Sequence, residues 1–278
     1  MKPKWGEMDR MMTRRIAAGA LALSLLVGGG VLAGCGSSSS SSETAAQTAA
    51  NPPDMPANSI EALPATEILA KSQATAKAAS SVTVKGTITE GAVESSLDLV
   101  LGTSASEGTI TAEGVELSVK AVDGKSYFKA SSGSWATLLG SAGAEGKAAG
   151  NKIDGLVGDK WLLLPAEPGS LGEAGSVLGV TLAGLSGFFQ KDFLLETLLS
   201  PEGGWTVKTT GDVNGTPVVF LEDTKGESTL AIQTVGEPYP VQAKGGRAQG
   251  SGEISFTNWN APVNVTAPTN ILDISELG

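Results

Sequence analysis

The chain has 278 residues, with 37 glycines, one cysteine and no histidine, and a formal net charge of −10. Without histidine there is no Ser-His-Asp triad, no Cys-His dyad and no imidazole zinc ligand. A lone cysteine excludes intrachain disulfides and cysteine-based metal clusters.

Residues 1–34 read as a lipoprotein signal peptide. Arg10, Arg14 and Arg15 form a basic start, and residues 16–27 are an unbroken apolar and small run, short for a membrane span. Leu32-Ala33-Gly34-Cys35 then matches the bacterial lipobox, which predicts lipidation at Cys35 and cleavage before it. Loss of Lys2, Lys4, Arg10, Arg14 and Arg15 together with Glu7 and Asp9 takes the net charge from −10 to −13 and leaves Arg247 as the one arginine. Such a chain lacks the basic footprint of a nucleic-acid binder. Attachment to an anionic membrane surface would rest on acyl chains, each buried methylene contributing about 0.8 kcal/mol.

Residues 35–64, with a serine run at 37–42 and Pro52, Pro53, Pro56 and Pro64, predict a disordered tether. A folded domain is expected over 65–273. It opens with a helix at 65–80, Ile68, Leu69, Ser72, Ala76 and Ala79 lying near one face and Thr66 as N-cap. Alternating strands follow at 82–88, 92–101, 109–111, 115–121, 125–130 and 134–138, with breaks at Gly91, Gly102, Gly108, Gly114, Gly124 and Gly133. Asp123-Gly124 suits a type I′ turn. Residues 141–158 read as small and flexible, and 160–164 as a short strand. The stretch 171–199 reads as helical and unusually apolar, with Leu178, Leu182, Leu185, Phe189 and Phe193 at helical spacing and Phe188 widening the face. Strands resume at 205–211, 217–222, 228–233, 240–244 and 252–256, and residues 258–262 close the sheet before a tail. This order predicts an α+β fold: a curved antiparallel half-barrel sheet with helices packed on its concave side.

Motifs for chemistry are sparse. Ser126-Tyr127-Phe128-Lys129 has the Ser-x-x-Lys spacing of penicillin-recognising enzymes, but it alternates like a strand, which puts Ser and Lys on opposite faces. The acidic pairs Glu222/Asp223 and Glu113/Glu116 sit at strand–turn positions, where solvated carboxylates are the default. Asp212-Val213-Asn214-Gly215 reads as a hairpin turn rather than a calcium loop. The apolar stretch 171–199 reads either as ordinary core or as the wall of a lipid cavity.

Several segments together resemble the LprG/LppX group of actinobacterial lipoproteins, with the LolA/LolB carriers as distant structural relatives. They are the lipobox at Cys35, the Ala-rich helix leading into Ser81-Val82-Thr83-Val84, Val122-Asp123-Gly124-Lys125-Ser126-Tyr127-Phe128, the apolar helices before Trp205, Val213-Asn214-Gly215-Thr216-Pro217-Val218, and the closing run 256–265. The resemblance implies a half-barrel whose hydrophobic cavity carries acylated lipids or glycolipids across the cell envelope, without catalysis and without a cofactor. The expected protein is held by Cys35 on the extracytoplasmic face of the cell membrane. Leu97, Leu99, Leu117, Leu178, Leu182, Leu185, Phe188, Phe189 and Phe193 would line the cavity, and a transporter is a candidate partner. The rival reading is a non-enzymatic scaffold for a transporter or cell-wall complex, which predicts a filled core and no bound lipid.

Overall fold

The computed structural model describes residues 55–90, 93–112, 114–140, 143–164, 186–187, 189–199, 204–247 and 250–273. The signal and lipobox lie outside these residues, as do positions 165–185 and 188 of the apolar middle.

A 14-residue helix, α1 (Ala65–Ala78), comes first. Alanine, lysine and glutamine favour it, and it ends where Ala79 turns extended and a β-branched run begins. Thr66 is not its cap: the helix starts one residue earlier, behind Pro64, whose fixed φ suits helix entry and which has no side-chain hydrogen bond to give. Five strands follow: β1 (Ser81–Glu90), β2 (Val93–Gly102), β3 (Ala105–Ala112), β4 (Val115–Val122) and β5 (Lys125–Ala130). The β4–β5 turn has Asp123 and Gly124 both at positive φ, as a type I′ hairpin requires.

The region between the two runs of strands departs from expectation. Residues 135–138 are not a strand but a short helix, α2 (Trp135–Leu138), and the segment expected to be flexible holds α3 (Gly143–Val157). The helical stripe of α3 is hidden in sequence because half of it is glycine: Gly146, Gly150, Ile153 and Val157 are its buried residues. A Cβ at Gly150 would lie 2.5 Å from the Trp135 carbonyl oxygen, so glycine lets the two helices touch backbone to backbone. Asp154 on α3 completes the contact: its carboxylate accepts the N–H groups of Gly133 (2.9 Å), Trp135 (3.1 Å) and Ala136 (3.2 Å) at the start of α2.

β6 (Trp161–Leu164), α4 (Lys191–Leu199), β7 (Trp205–Val213), β8 (Thr216–Asp223), β9 (Ser228–Gln233), β10 (Pro240–Arg247) and β11 (Gly250–Thr257) complete the expected elements. A strand not foreseen, β12 (Ile271–Asp273), runs parallel to β6. All twelve strands form one sheet, ordered β12-β6-β5-β4-β3-β2-β1-β11-β10-β9-β8-β7; its two ends do not meet, so the half-barrel stays open. Except for the β12–β6 pair the ladder is antiparallel.

Gly108 is not a turn. It sits inside β3 opposite Leu99, and a Cβ there would run into the Asp98 carbonyl and lie 2.8 Å from the Leu99 Cα. Gly86 in β1 would likewise meet the Glu253 carbonyl and the Ile254 Cα at 2.9 Å. Both are inward positions where neighbouring strands close in on each other, and glycine permits that curvature.

The end of the expected tether is also part of the fold. Ala57 bridges to Val235, the Asn58 N–H donates to the Thr234 carbonyl (2.9 Å), and the Asn58 amide donates to the carbonyls of Gln233 (3.1 Å) and Gly236 (3.0 Å). Ile60 then inserts into the core, 2% exposed. One apolar side chain and one asparagine suffice to pin a segment whose composition is otherwise that of a linker.

At the same end of the strands, Asn258 and Asn260 take positive φ around Trp259. Trp259 stacks on Tyr239 (centroids 4.6 Å apart, 11° between planes) and donates to the Pro240 carbonyl at 3.2 Å. The Asn260 side chain accepts the Ser80 N–H at 2.7 Å and donates to the Tyr239 hydroxyl at 2.7 Å. This clasp joins β11 to the α1–β1 corner. From it residues 261–270 run as a strap to β12, with Val263 beside Gly102 and the Thr266 carbonyl beside Lys120.

Candidate functional site

The register aligns the inward side chains in rows across the sheet. One row reads Leu117, Ile110, Leu97, Gly86, Ile254, Ala243, Leu230 and Leu221, from β4 to β8. The row nearer the helix-covered end includes Phe128, Val119, Gly108, Leu99, Val84 and Phe256. The row nearer the other end reads Val115, Ala112, Ser95, Ile88, Gly252, Gly245 and Ser228.

Burial falls from row to row. In the covered row Phe128, Val84, Leu99, Val119 and Phe256 are at most 2% exposed. In the middle row Ile110, Leu97, Gly86 and Ala243 are half-buried while Leu117, Ile254, Leu230 and Leu221 are buried, and in the last row no position is buried. Ile88, Leu97, Ile110 and Ala243 still pack against the main core. The concave face is therefore a shallow trough, fully packed at the helix-covered end and only partly buried toward the other. Its less buried end is floored by small residues (Ala112, Ser95, Gly252, Gly245, Ser228).

The filled end is closed by α1 and α4. Ile68 and Ala76 of α1 and Leu194, Leu195 and Leu199 of α4 belong to the same core as the sheet's inward residues. The helices hold each other by their ends. The Lys191 ammonium, 3% exposed, donates to the carbonyls of Lys77 (2.9 Å) and Ala76 (3.4 Å) at the end of α1 and pairs with Asp192 at 2.7 Å. In return Gln73 of α1 donates to the Leu199 carbonyl at the end of α4, at 2.7 Å.

Of the residues expected to line a cavity, Leu97, Leu99, Leu117 and Phe189 come together in one core, with Phe189 edge-on to Phe128 at 6.2 Å. Among these four Leu97 borders the open trough, while Leu99, Leu117 and Phe189 are packed at 1–3% exposure. Phe193 is 48% exposed on α4 rather than turned inward. Leu178, Leu182, Leu185 and Phe188 lie outside the described residues. Ile88, Ile110 and Ala243 were not foreseen as lining residues. Alternation places each on the right face of its own strand, but only the cross-strand register puts them on one concave face.

The outer face is polar. Lys85–Asp98 (2.8 Å), Lys120–Glu107 (3.3 Å), Lys244–Glu253 (3.2 Å) and Lys208–Glu222 are cross-strand ion pairs, solvated and worth little each. The acidic pair at 222–223 is thereby committed: Glu222 pairs with Lys208, and Asp223 accepts the N–H groups of Glu227 (2.7 Å) and Ser228 (3.2 Å) in the β8–β9 turn. Burial pushes the Asp223 carboxyl up, but the backbone N–H groups of residues 225–228 outweigh it and hold the carboxyl below the ordinary aspartate value.

No protein-family model matches the chain, and no curated protein matches it. Among solved structures it is similar to LprF from Mycobacterium bovis, at 16% identity and a TM-score of 0.46, over 77% of this chain and 99% of that one. It is similar to the Mycobacterium tuberculosis lipoprotein LppX at 16% identity and a TM-score of 0.43, over 73% and 100% of the two chains. A weaker likeness, 13% identity and a TM-score of 0.35, is to the Pseudomonas aeruginosa MucA/MucB complex, over 71% of this chain and 58% of that one.

Proposed function

We propose that this protein is a lipoprotein, anchored through Cys35 at the extracytoplasmic face of the cell membrane, that binds acyl chains in the trough and carries acylated lipids or glycolipids across the envelope. The observation that supports this reading is the burial gradient. A domain that only scaffolds a partner has no use for an apolar floor left half-open at Ile88, Leu97, Ile110 and Ala243. Leu178, Leu182, Leu185 and Phe188 are proposed as the walls and roof over that floor, and a transporter as the partner that receives or supplies the cargo.

The energetics suit a carrier. Hiding about 400 Å² of acyl surface at about 25 cal/mol per Å² gives roughly 10 kcal/mol, less the cost of ordering the chain. That holds a lipid through transit and still allows release. The role is binding rather than catalysis, and no cofactor enters it.

Organic extraction of the purified mature lipoprotein, followed by mass spectrometry, tests the reading. One acylated lipid per protein beyond the anchor is expected. An extract holding only anchor-derived acyl chains favours the scaffold instead.

A further inference from the structure

Trp161 is a large aromatic residue on the wrong side of the sheet for the core. Leu162 and Leu164 of β6 turn inward and are buried, whereas Trp161 and Leu163 alternate outward and are half-buried. The indole borders a cleft of about 410 Å³ between the outer face of β4–β6 and strap residues 266–270. Both walls are fixed: the Trp161 backbone N–H donates to the Asn270 carbonyl at 2.8 Å, and Ile271 pairs with Trp161 in the ladder. The Lys120 ammonium lies 5.9 Å from the indole centroid and is committed to Glu107 (3.3 Å) and the Thr266 carbonyl (3.5 Å). Two further lining groups are uncommitted. Lys129 and Asp159 make neither an ion pair nor a side-chain hydrogen bond among the described residues.

We propose that this cleft binds a short uncharged saccharide. An aromatic face beside a fixed wall accepts the C–H-rich face of a sugar ring. Lys129 supplies donors and Asp159 acceptors, the complement of neighbouring sugar hydroxyls. Their charges cancel, and Lys120 is already neutralised by Glu107. The site therefore has no net attraction for an anion, and the acidic mature chain repels one. The volume lies within the roughly 300–1,000 Å³ typical of small-ligand sites. The cleft is on the outer face, so it is independent of the trough: a glycan held there would position the carrier against a polysaccharide layer whatever cargo it carries.

Affinity electrophoresis of the mature lipoprotein in non-ionic detergent, through gels cast with mannan, arabinogalactan or dextran, tests this. At least one of these neutral polymers should retard the wild-type chain. Trp161→Ala and Asp159→Asn should each weaken the retardation by about tenfold, the scale of one lost stacking or hydrogen-bonding contact. Asp159 is exposed and unpartnered, so Asp159→Asn keeps the test valid if Trp161→Ala fails to fold. The proposal is overturned if none of the three polymers retards the wild type, or if Asp159→Asn is retarded as strongly as the wild type. Lipid extraction reads the trough separately, so either proposal can fail alone.

Discussion

Lys191 donates its buried ammonium to the Lys77 carbonyl at 2.9 Å, so the first residue of α4 caps the last turn of α1. A charged donor placed on orphan carbonyls also meets the negative end of the helix dipole. Lys191→Met keeps the apolar stem but leaves those carbonyls unpaired. It should cost about 1–3 kcal/mol in chemical denaturation, and amide exchange should rise first at the end of α1. Unchanged stability would mean that the cap adds nothing.

Two glycines of α3 should respond with opposite sign. Gly150→Ala drives a methyl into the α2 backbone and should lower stability by about 1–3 kcal/mol. Gly155→Ala, in the same helix with open space around it, should raise stability by about 0.5–1 kcal/mol. Thermal melts of the two variants check this; equal shifts would contradict the backbone contact between α2 and α3.

Asp223 gives the pH dependence of the β8–β9 turn. Its carboxyl is held below the ordinary aspartate value, burial raising it and four backbone N–H groups lowering it further. Its contribution to stability is therefore full above the unfolded-state pKa and is lost as pH falls through the lower folded-state pKa. Carboxyl-carbon NMR titration should place Asp223 below the ordinary aspartate value. Asp223→Asn should abolish that part of the acid dependence.

Most of the sheet is legible in the sequence because its strands alternate and two of its hairpin turns carry Asp-Gly or Asn-Gly. The β7–β8 turn, for example, puts Asn214 and Gly215 at positive φ. What was not legible depends on partners distant in sequence. Gly108 looks like a turn until Leu99 is placed against it, and α3 hides its stripe because glycines do the packing. Asn58 and Ile60 look like tether until Val235 and Gln233 are beside them. The trough is the clearest case. Ile88 and Ile110 are ordinary strand residues in isolation, and their shared site exists only through β2, which lies between them.

The most direct test of the trough exploits neighbours on opposite faces of β3. Ile110 points into the trough, and Thr109, opposite Asp98 and Ser118, points to solvent. Native mass spectrometry of the mature lipoprotein should show a bound lipid in the wild type and in Thr109→Lys. Occupancy should fall by about tenfold or more in Ile110→Lys, since a charge on the apolar floor opposes an acyl chain. Ile88→Trp, which fills the same space without a charge, should lower occupancy too. Equal occupancy in Thr109→Lys, Ile110→Lys and Ile88→Trp, or no lipid on the wild type, would contradict the account.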